Sequence, residues 1–129
     1  MSVSDEFFAD LAQRGHDPRL HRANGSVLFE LTRTGGTDRW RVGMALGDVT
    51  VSSGRDADTD GGAGCVVRGT GSLFDEIVSG RANAMAAMLR GELVPEGDLE
   101  LLYEFQRVFP GPPGALHPRE RLASKGNAS

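Results

Sequence analysis

The chain has 129 residues, a net charge of −4 and a single cysteine. This length fits one domain that buries enough apolar surface to fold without disulfide bonds or a metal ion. The sequence shows no Lys/Arg cluster typical of nucleic-acid binding, no apolar run near the ~20 residues of a membrane span and no signal peptide, so we expect a soluble, cytoplasmic protein.

An amphipathic helix is predicted near the N-terminus, with Ser4 as its cap and Gly15 at its end. Asp5 and Glu6 lie in its first turn, which is favourable because the N-terminal end of a helix carries partial positive charge. Its apolar side chains recur at the spacing of one helix face. They are Phe7, Phe8, Leu11 and Ala12.

Three segments with alternating apolar and polar side chains follow, over residues 26–32, 39–46 and 48–52. This period-two pattern is typical of strands with one buried and one solvated face, and it favours an antiparallel sheet. Glycine-containing dipeptides at 35–36 and 47–48 are of the kind that connect hairpin strands. The segments are therefore predicted to form a three-stranded meander.

A polar, glycine-rich loop over residues 54–64 contains part of a calcium-binding motif. Asp56, Asp58 and Asp60 precede a glycine, and carboxylates at alternate positions of such a loop converge on a cation. The twelfth position is Val67 rather than the bidentate glutamate, and no helix directly precedes the loop. We interpret the loop as a solvated acidic segment; whether it binds a cation stays open.

The second half of the chain contains shorter elements. They are a strand over 65–68, helices over 73–79 and 82–90, a strand over 93–96 and a last helix over 98–109. Ser72 and Asp98 are the predicted helix caps, and Pro95 restricts its strand to a sheet edge because proline has no N–H to donate. The domain is predicted to span residues 1–110, followed by a loose tail over 111–129 that is rich in proline, glycine and polar residues.

Helices at both ends of a block of strands, without strand–helix–strand alternation, indicate the α+β class. We expect a five-stranded antiparallel sheet with its helices packed on one face and its polar face in solvent. Nothing in the sequence requires a cofactor.

The last predicted helix is apolar over more than half of its circumference, which is wider than the stripe that one sheet contact buries. A neighbouring helix, a second subunit or a bound apolar molecule would have to cover the remainder. Helix 82–90 combines adaptable methionines with small alanines, which suits a malleable cavity, and its predicted inward side chains are Met85, Met88 and Leu89. From periodicity alone, ordinary core is the favoured explanation for the same residues.

A turn, a short Asn-containing helix and spaced glycines follow one another between residues 79 and 98. The positions concerned are Ser79, Gly80, Arg81, Asn83, Ala87, Met88, Leu89, Gly91, Leu93 and Gly97. This ungapped pattern resembles the C-terminal signature of the sterol carrier protein 2 family, the non-specific lipid-transfer proteins. A weaker likeness extends over residues 24–109, while Pro95 departs from the family pattern of an aliphatic residue in the fifth strand.

The resemblance implies an apolar tunnel between sheet and helices that accepts a fatty acid, acyl-CoA, sterol or other lipid. We therefore predict a monomer or homodimer that binds or transfers a lipid without covalent chemistry, makes at most transient contact with membranes and is not an enzyme. The candidate ligand-lining residues are Phe74, Ile77, Val78, Met85, Met88, Leu89, Leu102, Phe105 and Phe109.

Two alternatives stay open. The wide apolar helix could pair with another subunit or an enzyme, which would make the protein an interaction or dimerisation module. An accessory enzyme acting on a lipophilic metabolite would need a polar group in the tunnel, for which Tyr103 is the candidate. Cys65 has no activating base or cation near it in the sequence and reads as a small buried residue. The histidines are interpreted as surface residues; they are His16, His21 and His117.

Overall fold

The computed structural model describes residues 2–54 and 62–110. Acidic positions 56–60 and the predicted tail over 111–129 lie outside the described residues. The elements are α1 (Val3–Arg14), a first 3-10 helix (Pro18–Leu20), β1 (Asn24–Arg33), β2 (Gly36–Ala45), β3 (Asp48–Ser53), β4 (Cys65–Thr70), α2 (Gly71–Val78), α3 (Ala84–Leu89), β5 (Val94–Gly97), α4 (Leu99–Phe105) and a second 3-10 helix (Gln106–Val108). The order and type of the main elements agree with the sequence prediction, and the fold is α+β.

The five strands form one sheet in the order β3-β2-β1-β4-β5. Neighbouring strands are antiparallel except for β1 and β4, which are parallel. The prediction of a purely antiparallel sheet is therefore wrong, because the sheet is mixed. Side chains alternate between the two faces in parallel and antiparallel strands alike, so the sequence pattern could not indicate strand direction. After β3 the chain crosses the sheet, and β4 pairs with β1 on the side away from β2, running in the same direction as β1.

The two faces of the sheet differ as the alternation predicts. Phe29 of β1 is fully buried on the helix-covered face. Glu30 points to the opposite face, where its two carboxylate oxygens accept from Arg39 at 3.2 Å and Arg68 at 2.8 Å. Arg68 also bonds Glu96 of β5. A line of ion pairs thus crosses the polar face from β2 to β5.

The cap of α1 is Ser2 rather than the predicted Ser4. Ser2 and Asp5 form a reciprocal capping box, in which each side chain accepts from the backbone N–H of the other. Ser4 lies inside the first turn, fully buried, and its hydroxyl donates to Asp75 of α2. The helix ends as predicted at Gly15, which adopts the left-handed conformation at φ 64°.

The cap of α2 is Thr70 rather than the predicted Ser72. Thr70 has the extended backbone of the last β4 residue, and its hydroxyl oxygen accepts from the Leu73 N–H. Asp98 caps α4 as predicted. The α-helical part of α4 is shorter than expected because the chain tightens into the second 3-10 helix, and Phe109 is already extended before Pro110, as residues before proline tend to be.

Helix α4 lies close to the sheet because Leu101 packs over two glycines. A Cβ on Gly64 would lie 2.4 Å from Leu101 Cδ1, and one on Gly25 would lie 3.0 Å from the same atom. The Asp98 N–H also donates to the Gly64 carbonyl at 2.8 Å. These contacts fix the start of α4 over the neighbouring ends of β1 and β4, where both strands begin.

Candidate functional site

All six phenylalanines and the single tryptophan form one aromatic cluster between the sheet and the helices. Its members are Phe7, Phe8, Phe29, Trp40, Phe74, Phe105 and Phe109. Phe8 stacks on Trp40 and on Phe74, with ring centroids 4.7 Å and 5.5 Å apart. Phe29 lies 5.2 Å from both Phe74 and Phe105. The rings fill the centre of the space in which the sequence predicts an apolar tunnel.

Phe109 lies at the margin of this cluster, directly after the second 3-10 helix. Its ring is only partly buried. The ring centroid lies 5.8 Å from that of Phe7, 5.6 Å from Phe74 and 5.3 Å from Phe105. Phe109, the last member of the cluster in the chain, thus contacts three other rings while its own ring stays partly exposed.

Two hollows open to solvent border the core, and both include Ala82. The first, the α2–α3 groove, has a volume of about 520 Å³ and is lined by Thr70, Ser72, Leu73, Glu76, Ala82, Arg90 and Glu92. The second, the Phe109 hollow, has a volume of about 140 Å³ and is lined by Ile77, Ala82, Asn83, Ala84, Gln106, Phe109 and Pro110. The segment that joins α2 to α3 thus contributes to the walls of both hollows.

The predicted lining residues occupy three environments. Five are buried in the core: Phe74, Ile77, Val78, Leu102 and Phe105. Met88 and Phe109 are partly buried and pack against that core. Met85 and Leu89 lie at the surface, with 37% and 88% of their area exposed. The structure therefore brings seven of the nine together and leaves two outside.

Helix α3 turns a different face to the core from the one predicted. Ala84 and Ala87 are buried, whereas the predicted inward residues Met85 and Leu89 face solvent. The backbone explains the choice, because the Ala87 carbonyl accepts from the N–H groups of Glu92 and Leu93 and so holds the chain close to α3. Ala87 is fully buried, so a larger side chain at that position would overfill a packed site.

A charged network ties the start of α1 to α2 beside the aromatic cluster. Arg33 donates to the two carboxylate oxygens of Asp75 at 2.8 and 3.1 Å and to Asp38 at 3.1 Å. The Arg33 guanidinium, together with the Ser4 hydroxyl, lowers the pKa of Asp75 from 3.8 to about 2. The pKa of Arg33 is raised by the same pairing. Since these groups bond one another, we assign the network a structural role.

A second network holds the 3-10 helix that precedes Phe109. Asp17, which is 2% exposed, accepts from the side chains of Arg19 and Arg14. Arg19 also donates to the Arg107 carbonyl at 3.2 Å. Hydrogen bonds from Arg19 lower the pKa of Asp17 despite its burial. The chain end that carries Phe109 is thereby tied to the loop after α1.

The residues considered for chemistry do not come together. Cys65 is fully buried in β4, and this burial raises the pKa of its thiol. His16 pairs with Asp48 at the surface, 2.9 Å apart. Tyr103 is 42% exposed on α4, outside the aromatic cluster, so it is not the buried polar group that the enzymatic alternative needs. Within residues 2–54 and 62–110, no three His, Cys, Asp or Glu side chains are grouped to hold a metal ion.

Ala82 and the N-terminal Phe7–Phe8 pair were absent from the predicted site. The doublet had a usable signal, because it lies on the apolar face of an amphipathic helix that must pack on the sheet. Ala82 had no such signal, since a lone alanine in a turn does not indicate that the residue will line two hollows.

None of the helices in the described part of the chain has the length and apolar character to cross a bilayer.

A model of the SCP-2 sterol transfer family matches residues 2–110. The chain belongs to this family. Residues 2–110 include every element described above, from the Ser2 cap to the turn after Phe109, so the likeness predicted for residues 24–109 extends to the N-terminal helix. No curated protein sequence matches this family member at a significant level.

Solved structures share the SCP-2 fold at low sequence identity. Palmitated sterol carrier protein 2-like 2 from Aedes aegypti superposes with a TM-score of 0.64 and 19% identity, covering 84% of this chain and 94% of that one. Sterol carrier protein 2 from Yarrowia lipolytica, in its apo form, gives 0.57 and 22%, covering 75% and 88%. A sec-alkylsulfatase from a Pseudomonas species gives 0.64 and 18%, but the match covers 89% of this chain and only 17% of the sulfatase. At these identities the likeness establishes the fold.

Proposed function

We propose that this SCP-2 family protein binds one lipid non-covalently between its sheet and its helices, in order to hold or transfer it. The ligand class is that expected from the sequence: a fatty acid, an acyl-CoA, a sterol or a similar molecule. The observation that carries the proposal is a packed interior of apolar and aromatic side chains whose margin borders two solvent-open hollows that share Ala82 in their lining. Family membership supports the same conclusion.

A ligand tail would take the place of the Phe109 ring. The ring is half-buried at the cluster margin and lines the hollow that also reaches Ile77. Its three ring contacts are worth about 0.5–1.5 kcal/mol each. Burying an alkyl chain gains about 0.8 kcal/mol per methylene, so a chain of about ten carbons outweighs those contacts and leaves a surplus against the cost of ordering.

The predicted lining residues have different parts in this proposal. Buried side chains from α2 and α4 would contact the tail, with Phe109 displaced to its side. Met88, which is partly buried, would adapt to the shape of the ligand because its side chain is flexible and polarizable. Met85 and Leu89 lie on the exposed face of α3 and would form the rim, since Ala84 and Arg90 of the same segment line the two hollows.

Titration with a fluorescent fatty acid tests this function. The protein should bind one equivalent at micromolar concentrations, and an Ala82→Trp variant, which places a bulky ring in the wall that the two hollows share, should bind at least about tenfold more weakly. Ala12→Trp is the matched control, because Ala12 lies on the exposed side of α1. If the wild type does not bind, or if both variants bind as it does, the proposal is wrong.

Self-association is a second candidate, favoured by one observation. Leu99 and Tyr103 lie about one helical turn apart on α4 and are 40% and 42% exposed. These two side chains belong to the wide apolar face of α4, and they form the part of that face that does not pack on the sheet. Light scattering decides between the two: a stable dimer that dissociates on Tyr103→Glu would support an interaction module, and a monomer would exclude it.

A further inference from the structure

We propose that residues 106–110 form a lid over the core that opens when a lipid enters or leaves, and that Arg19 is the latch that holds this lid shut. The lid consists of the second 3-10 helix, Phe109 and Pro110. This inference rests on the proposed function and specifies how the lipid passes into and out of the protein. It concerns the rates of binding and release rather than the chemical class of the ligand.

The lid forms part of the wall of the Phe109 hollow. Gln106, Phe109 and Pro110 line this hollow together with Ile77 of α2. Val108 is 5% exposed and Phe109 is half-buried, so the lid packs on the core through two apolar side chains. Because the hollow has a volume of only about 140 Å³, a lipid tail needs the lid to move before it can reach the core.

Arg19 ties the lid to the loop after α1. Its Nη1 donates to the Arg107 carbonyl at 3.2 Å. Carbonyl groups in the last turn of a helix have no partner within the helix, and the partial negative charge there favours a cation. Within residues 2–54 and 62–110, this is the hydrogen bond that joins the lid to an element other than α4. Its loss would leave the lid held by α4 and by apolar contacts.

Asp17 holds the latch in position. Nε and Nη2 of Arg19 donate to the two carboxylate oxygens of Asp17 at 3.0 and 2.7 Å. Asp17 is 2% exposed, and its own N–H donates to the Gly47 carbonyl at 2.8 Å, which fixes it to the β2–β3 turn. A two-point contact of this kind orients the plane of the guanidinium group. Nη1 is thereby directed at the Arg107 carbonyl, and Asp17 is a positioning residue for the latch.

Glu104, on α4 directly before the lid, favours the open state. Its Oε2 pairs with Arg107 of the lid at 3.3 Å, so the carboxylate lies against the lid. Its Oε1 is buried and accepts no hydrogen bond from the part of the chain that the structure describes. A buried acceptor without a donor destabilises the state that contains it, and opening the lid would admit water to this oxygen. The latch therefore offsets an unfavourable contribution that Glu104 makes to the closed lid.

Stopped-flow mixing with a fluorescent fatty acid tests the latch. Arg19→Gln should raise both the association and the dissociation rate constant at least about fivefold, the size expected for the loss of one hydrogen bond. The Kd should change little, because a lid affects entry and release alike. Arg14→Gln is the matched control, since Arg14 also donates to Asp17, at 3.2 Å, but bonds no lid residue. It should change neither rate constant by more than about twofold.

Hydrogen exchange measures opening of the lid in the absence of lipid. The Gln106 N–H donates to the Leu102 carbonyl of α4 at the hinge of the lid. Its exchange should become about fivefold faster in Arg19→Gln, because exchange follows the population of the open state, and should stay unchanged in Arg14→Gln.

Glu104→Met should act in the opposite direction, because it removes the unpaired oxygen and keeps the length of the side chain. Both rate constants and the exchange at Gln106 should fall at least about threefold. The pair with Arg107 that is lost with it is partly exposed and contributes little. Glu100→Met, at an exposed position of α4, is the matched control.

The outcomes separate this inference from the proposed function. If the wild type binds no lipid, the lipid-binding function itself is wrong. If lipid binds but Arg19→Gln and Arg14→Gln have equal rate constants or equal exchange at Gln106, lipid binding stands and the latch is overturned. Rate constants of Glu104→Met equal to or above those of Glu100→Met also overturn it. Should Arg19→Gln fail to fold, Arg19→Lys takes its place with the same expected rise, because lysine keeps the charge but lacks the fork that bonds Asp17 and the lid together.

Discussion

Phe109 contacts Phe74 edge-on, with ring centroids 5.6 Å apart and ring planes inclined at 81°. Edge-to-face pairs of this kind stabilise a core beyond the area they bury. The contact joins the last described turn of the chain to α2 and completes the aromatic cluster. The same ring lines a solvent-open hollow, so the residue that completes the core is also the one whose removal would open it.

Replacing Phe109 by alanine should therefore separate stability from binding. We expect the free energy of unfolding to fall by about 1–3 kcal/mol, because three ring contacts are lost from a partly buried position. Affinity for a fluorescent lipid should rise severalfold, since the tail no longer has to displace a ring. Phe8→Leu, inside the cluster, is the control that should lose stability without gaining affinity; a Phe109→Ala protein with weakened lipid binding would contradict the account.

Asp75 should control acid stability through Arg33. Its pKa in the folded protein is about 2, below the ordinary 3.8, so folding favours the carboxylate. The stabilisation is complete above about pH 4 and is lost as the pH falls towards 2. Asp75→Asn should thus lower the free energy of unfolding at pH 7 by about 1–3 kcal/mol and make its decline below pH 4 shallower. The exposed Asp10→Asn serves as control, and equal urea curves for the two variants would refute the pairing.

Gly97 should tolerate no side chain. It has φ +107°, and a Cβ there would lie 2.4 Å from the backbone oxygen of Gly64, which belongs to a neighbouring segment and cannot rotate away. Gly97→Ala should cost about 2 kcal/mol or more through strain and displacement of β5. Gly35→Ala, which meets open space in the β1–β2 turn, should change stability little. Equal melting temperatures for the two variants would show that β5 does not pack as described.

The orientation of α3 is open to a direct test. Leu89 is 88% exposed and Ala87 is fully buried, so Leu89→Ser should alter the free energy of unfolding by no more than about 0.5 kcal/mol. Ala87→Leu should destabilise by about 1–3 kcal/mol because it overfills a packed site. Denaturant unfolding of both variants measures the difference, and the reverse order would place Leu89 inside.

Much of this fold was predictable from local patterns. The alternation in residues 26–52 and the glycine turns predicted the first three strands, and Asp98 was correctly predicted as the α4 cap. Strand direction was not predictable, because β4 alternates in the same way whether it lies parallel or antiparallel to β1. The choice of Thr70 over Ser72 as the cap of α2 was not predictable either, because both hydroxyls lie near the start of the helix. Thr70 is the cap because β4 ends there and gives it the extended backbone that a cap residue needs.

The candidate site was predictable in part. The apolar face of α2 and the broad apolar face of α4 indicated Phe74, Ile77, Leu102 and Phe105, all of which are buried. The face of the six-residue α3 was predicted wrongly, because so short a helix leaves its rotation to tertiary contacts such as those at Ala87. The place of Ala82 in the lining of two hollows depends on packing between distant segments, which sequence periodicity does not indicate.

The most direct test of lipid binding beneath Phe109 is a set of intermolecular nuclear Overhauser effects between isotope-labelled protein and an unlabelled lipid. The account predicts cross-peaks from the alkyl chain to the Ile77 methyl groups and the Phe109 ring, with none to Leu46 in the exposed β2–β3 turn. Cross-peaks confined to surface residues such as Leu46 and Leu89, or no cross-peaks at saturating lipid, would contradict it.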